Sequence, residues 1–146
     1  MSAKVFVDTN VLVYSRDASE PEKQQLAMAW MARLWESGRG RLSFQVLQEF
    51  YVTVTQKLKP GLEISRAQND VRTLLAWRPI PVDARIMEGA WFVQKRYGLG
   101  WWDSLIVATA QQSNCRYLLS EDLQESQLLD HLEVINPFQR TFESIL

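Results

Sequence analysis

Residues 4–17 read KVFVDTNVLVYSRD, and this stretch decides the architecture. Val5-Phe6-Val7 is a short run of β-branched and aromatic residues with no polar residue at either alternate position. That is the pattern of a strand buried on both faces, as in a parallel sheet covered by helices. The run stops at Asp8, passes Thr9 and Asn10, and resumes as Val11-Leu12-Val13. A strand over Lys4–Val7 followed by a short helix over Val11–Arg16 fits this pattern. A carboxylate where a buried strand ends has two readings. It caps the next helix, which is the commoner case, or it holds a metal ion.

The rest of the chain alternates in the same way. Ser19-Glu20-Pro21-Glu22 is a helix start, with Ser19 as cap, and the helix reaches Gly38 with Leu26, Trp30 and Leu34 on one face. Arg41–Phe44 reads as a strand, Gln45–Leu58 as a helix stopped by Pro60-Gly61, and Ser65–Trp77 as another helix. Pro79–Val82 is an edge-like strand limited by its prolines. Asp83 caps a helix to Tyr97 that Gly98 ends, and Trp101–Ser113 is helical. Arg116–Leu119 and Glu133–Ile135 are the last strands. Short apolar strands between amphipathic helices specify an α/β, three-layer fold with a mostly parallel central sheet, over a single domain spanning residues 1–146. Trp30, Trp35, Trp77 and Trp91 are expected in the core. In the tail, Phe138, Phe142 and Ile145 are spaced to pack on the body or on a partner subunit.

Composition narrows the chemistry. A net charge of −1 excludes binding to nucleic acid by bulk charge and leaves room for a local basic patch. Cys115 is the only cysteine and His131 the only histidine, so neither a thiolate cage nor a His-based zinc site can be completed. A metal site here must be built from oxygen, which suits Mg²⁺ or Mn²⁺. Val5–Val7 is too short for a signal core, and no apolar stretch approaches the roughly 20 residues of a membrane span. The expectation is a soluble cytoplasmic protein.

Ligands of open parallel sheets bind at the carboxyl ends of strands. Asp8 is at such an end, and so is YLLSEDLQ, residues 117–124, where Ser120, Glu121 and Asp122 follow a strand. In GWWDSLIVATA, residues 100–110, Asp103 shares a helix face with Ile106, Val107 and Ala110. Its carboxylate is satisfied either by free backbone N–H groups of the first turn or by a site. Glu49, in LSFQVLQEFYVTV, stands at the shoulder of an apolar stripe, where a glutamate is usually solvated. Converging, the four acids would repel one another and call for a cation.

The order and surroundings of these residues resemble PIN domains, in particular VapC-type toxin ribonucleases, from about Lys4 to Pro137. The resemblance rests on VFVDTNVLVY, LSFQVLQEFY, WWDSLIVATA and YLLSEDLQ. It implies a Mg²⁺- or Mn²⁺-dependent endoribonuclease that hydrolyses RNA with metal-activated water and no covalent intermediate. By the same resemblance, Asp8 and Asp103 are the principal metal ligands, and Glu49 and Asp122 complete the quartet. Thr9, Asn10 and Ser120 act as polar supports. Glu121 and Asp122 compete for the fourth place; the Ser120-x-Asp122 spacing favours Asp122, with Glu121 then facing away. The partners implied are an RNA substrate, a cognate antitoxin that occludes the cleft, and a second copy in a homodimer.

Other features are open to a bland reading and a functional one. Arg39 and Arg41, or Lys57 and Lys59, can hold RNA phosphates or be ordinary surface. Of Trp101 and Trp102, about 100° apart on a helix, one at most faces a cleft to stack a base. The competing function is a non-catalytic RNA- or protein-binding domain whose acids are caps. A phosphatase with paired aspartates is disfavoured, because Asn10 stands where the second would be.

Overall fold

Val5, Phe6 and Val7 form β1 and are fully buried, as a strand covered on both faces must be. The protein is seen here in a computed structural model that describes residues 2–146. After β1 come α1 (Thr9–Tyr14), α2 (Pro21–Ser37), β2 (Gly40–Arg41) and α3 (Phe44–Val52). Then follow α4 (Ile64–Leu74), α5 (Ala84–Tyr97), α6 (Trp101–Gln112), β3 (Tyr117–Leu119), β4 (Leu128–Leu129) and β5 (Leu132–Ile135). The sheet order is β2-β1-β3-β5-β4, parallel except for the β4–β5 pair. Helices flank this sheet, as the alternation of strands and helices requires. Among the described residues, no helix is long and apolar enough to cross a membrane.

Register fixes the functional edge. Val7 lies opposite Leu119, so the residues that follow, Asp8 and Ser120, leave the sheet side by side. The Asp8 N–H still donates to the Leu119 carbonyl at 3.0 Å, extending the ladder by one bond past the strand.

Several expectations are corrected. Ser19 does not cap α2. Its N–H and Oγ both donate to Asp17 Oδ1, at 3.0 and 2.5 Å, making an Asx turn, and Glu20 takes the cap position without a side-chain bond. Ala27 rather than Leu26 joins Trp30 and Leu34 on the buried stripe of α2, while Leu26 is exposed. Phe44 starts α3 instead of ending β2, because Ser43 Oγ accepts from the Val46 N–H and caps the helix. Residues 79–82 form no strand. Pro79 and Pro81 lack N–H donors, and Ile80 alone makes a bridge, to Ser43. Strand β4 escaped the sequence reading because two residues carry no periodicity. The strand before Ile135 starts one residue earlier than expected, at Leu132. Trp35 and Trp91 are exposed, each covering one ring face on a neighbour, Trp77 at 5.4 Å and Trp101 at 6.2 Å between centroids.

The tail packs on the body. Phe142 and Ile145, in a 3₁₀ turn, are buried, and Phe142 meets Trp30 edge-on. Trp30 Nε1 donates to the carbonyls of Pro137 and Arg140, at 3.1 and 3.0 Å. Arg39 is likewise structural, not an RNA contact. It is buried and donates to the carbonyls of Ala3 and Ile145, stitching the two ends of the chain together. Replacing Trp30 with Phe keeps most of the packing and leaves two carbonyls without their donor. Trp30→Phe should cost about 1–3 kcal/mol in urea unfolding and expose the segment after Pro137 to limited proteolysis. Wild-type stability with an uncleaved tail would refute this anchoring role.

Candidate active site

The cleft opens at the carboxyl edge of β1 and β3. It encloses roughly 620 Å³, and Asp8, Glu49, Asp103 and Asp122 all line it. The fold therefore brings the four expected acids to one cavity from four elements: the ends of β1 and β3, the middle of α3 and the first turn of α6.

Asp8 is both a cap and a buried charge. One oxygen, Oδ1, accepts from the Thr9 N–H at 2.7 Å and starts α1. The other, Oδ2, accepts from Ser120 Oγ at 2.8 Å and from Asn10 Nδ2 at 3.2 Å. Burial pushes its carboxyl up to about 7. The Ser120 and Thr9 hydrogen bonds pull the other way, and the facing Asp122 and Asp103 push it further up. Three hydrogen bonds do not offset burial beside two like charges.

Asp103 differs. It stands in the first turn of α6, and among the described residues its carboxylate accepts no hydrogen bond from the free N–H groups there. It is half-buried, and burial, then Asp122, raises its carboxyl above the ordinary range. Capping therefore does not account for it.

Glu49 and Asp122 are held by the residues expected as polar supports. Thr9 Oγ1 donates to Glu49 Oε1 at 2.7 Å. Asn10 Nδ2 is shared among Asp8, Ser120 and Asp122, each at 3.2 Å. The Asn10 carbonyl oxygen accepts from the Glu121 N–H at 3.1 Å, and Ser120 Oγ accepts from the Asp122 N–H at 3.2 Å. This network turns Asp122 into the cleft. Glu121 points to Lys23, whose Nζ is 2.5 Å away and lies over the rings of Tyr14 and Phe138.

Uncharged Asn10 and Thr9 thus interleave the acids and occupy oxygens a cation would need. Among the described residues, no three His, Cys, Asp or Glu side chains stand close enough together to hold a metal as they are. The donor chemistry nonetheless fits a hard divalent ion. Every candidate ligand is a carboxylate oxygen, two carboxyls are raised by burial and mutual repulsion, and Asp103 has no competing partner.

Two lining residues were read differently or missed. The helix expected to run unbroken from Gln45 to Leu58 becomes a π-turn over Thr53–Lys57, with the Leu58 N–H bonded to the Thr53 carbonyl. Four residues overshoot an α-helical turn by roughly 40°, and the wider turn removes that drift. Glu49, Thr53 and Lys57 all reach the cleft as a result. Lys57 is the only cation lining it and makes no ion pair among the described residues. Lys59 does not line it. Asp17 also lines the cleft, with Oδ1 taken by Ser19. The Asp-x-Ser spacing was the available signal for this.

The Asp8 shift has a definite sign. Its folded pKa of about 7 lies above the unfolded value, so the native state binds the proton more tightly. The stability this contributes is full at low pH and is lost as pH rises from about 4 through about 7. Without divalent metal, wild type should weaken over that window. Asp8→Asn should flatten the profile and be more stable at pH 8 by roughly 1–3 kcal/mol. Urea unfolding in EDTA across pH checks this, and parallel profiles would refute it.

Of the solved structures, the chain is similar to FitAB bound to an IR36 DNA fragment, at 22% identity and TM-score 0.68, over 92% of this chain and 95% of that one. A toxin–antitoxin complex from Klebsiella pneumoniae matches at 20% identity and TM-score 0.59, over 92% and 98%. Mycobacterium tuberculosis VapC20, a sarcin-ricin loop cleaving toxin, matches at 20% identity and TM-score 0.59, over 79% and 87%. No curated protein matches. At these identities the likeness establishes the shared fold. The family model for the PIN domain matches residues 5–131, which is most of the sequence, and the chain belongs to the PIN domain family.

Proposed function

We propose that the protein is a Mg²⁺- or Mn²⁺-dependent endoribonuclease, the toxin member of a toxin–antitoxin pair. The observation that carries this reading is the pair Asp8 and Asp103. They come from a strand end and a helix start, share one open cleft, and are both raised by burial and by Asp122. In this reading Asp8 and Asp103 are the main ligands, with Glu49 and Asp122 completing the set. A divalent ion bound there supplies an activated water and neutralises the scissile phosphate.

The chain's own residues do the positioning. Ser120 and Asn10 fix the Asp8 carboxylate, and Thr9 holds Glu49 toward the cleft. Lys57 reaches across to an RNA phosphate and offsets part of the acidic field. Burial raises the Asp8 carboxyl to about 7, so holding a cation there would require it to release its proton. The RNA strand, rather than a protein side chain, carries the leaving 3′ oxygen.

Support for an antitoxin partner comes from the solved neighbours, of which one is a toxin–antitoxin complex and one a DNA-bound FitAB assembly. Exposed Met87, Trp91 and Phe92 on α5 supply an apolar face for the second copy of a homodimer. The alternative, a binding domain whose acids are only caps, suits Asp8 and its bond from the Thr9 N–H. It leaves Asp103 without a role.

Cleavage of single-stranded RNA should require Mg²⁺ or Mn²⁺, stop in EDTA, and fall roughly 100-fold or more in Asp103→Asn. Full activity of clean protein in EDTA would contradict the mechanism. Lys57→Met should lower the slope of log affinity against log salt by about 0.7, one phosphate contact on a single strand. An unchanged slope would remove Lys57 from the substrate path.

A further inference from the structure

Beyond Trp102 the acidic cleft continues into a second groove of roughly 540 Å³, and Gln48, Glu49 and Trp102 line both. The groove's own walls are apolar, with Phe44, Pro81, Val82 and Leu105 among them. Phe44 and Val82 are exposed, and Trp102 is 63% exposed at the junction. An indole left in water beside a catalytic cleft is a platform without a partner. Trp101 is not available for the same task, since its ring packs against Trp91.

An independent observation lies in the same groove. Gln45 lines the groove and is only 8% exposed. Its Nε2 donates to the Trp102 carbonyl at 3.4 Å, which orients the amide. Its Oε1 is buried and accepts no hydrogen bond among the described residues. A buried acceptor left unmade is costly, and such groups are few in folded proteins. The oxygen is covered in this structure, so pairing with an incoming donor requires the groove wall around Gln45 to open.

We propose that this groove is a nucleobase subsite adjoining the acids, in which one unpaired base of the RNA stacks on Trp102 and donates an N–H to Gln45 Oε1. The proposal rests on the ribonuclease reading and adds a recognition element to it. Stacking on an aromatic side chain tolerates any base, since every base has a π-face, while the single acceptor demands an N–H edge. The substrate is then a strand or loop whose base next to the scissile phosphate is unstacked.

The test is equilibrium binding of a short 2′-O-methyl oligoribonucleotide, which resists cleavage, to the wild-type protein and variants. A matching abasic sugar–phosphate oligomer runs alongside. Trp102→Ala and Trp102→Leu should each weaken RNA binding by roughly 5- to 150-fold, and Trp102→Phe should restore most of it. Gln45→Leu should weaken it by about 2- to 12-fold. The abasic oligomer should bind wild type and all four variants equally. Trp35→Ala, outside both cavities, should leave every affinity unchanged. Equal RNA affinity in wild type and Trp102→Ala would overturn the subsite while leaving the ribonuclease reading intact. Equal losses for RNA and abasic oligomer would overturn stacking. Failure of wild type to bind RNA at all would overturn both readings.

Discussion

A carboxylate forced to leave the sheet at the end of a fully buried strand is the constraint on which the rest of the site depends. Asp8 is buried at the mouth of the cleft, and the bond from its N–H to the Leu119 carbonyl fixes where its side chain leaves the sheet. Its oxygens must therefore be satisfied locally, and Thr9, Asn10 and Ser120 do so. These donors are neutral and do not cancel the charge. Burial therefore still holds its carboxyl raised, to about 7. Stability has been set against a site of high local field, the usual opposition between folding and function.

That constraint orders the neighbours. Thr9 caps nothing itself and instead reaches Glu49 on α3, and Asn10 bridges to the loop after β3. Lys23 draws Glu121 the other way. Adjacent acids are thus sorted into one that faces the cleft and one that holds α2 to the β3 loop. After α3, the π-turn brings Lys57, the one cation among the described residues lining the cleft, to the same cavity.

The alternation of buried runs and amphipathic helices made the parallel sheet and its helical layers legible, and Asp8 and Ser120 were placed at its carboxyl edge. What periodicity could not convey was anything decided by a single turn or a distant partner. The π-turn after Val52 is invisible because its residues still read as a helix. Strand β4 is two residues long and exists only against β5. Arg39 looked like surface because its acceptors, the Ala3 and Ile145 carbonyls, lie far away in sequence. The acids were identifiable by type and position, while the pairing of Thr9 with Glu49, 40 residues apart, was not.

The central claim is the proposal that Asp8 and Asp103 form the core of a cation site, with one Asp8 oxygen now engaged by Asn10. The most direct measurement is a crystal structure of wild type soaked in Mn²⁺, with the ion located by its anomalous scattering. The account predicts a peak within direct coordination distance of both Asp8 and Asp103, with Asn10 Nδ2 released from Asp8. No peak at saturating Mn²⁺, or a peak elsewhere with the Asn10 bonds intact, would contradict it.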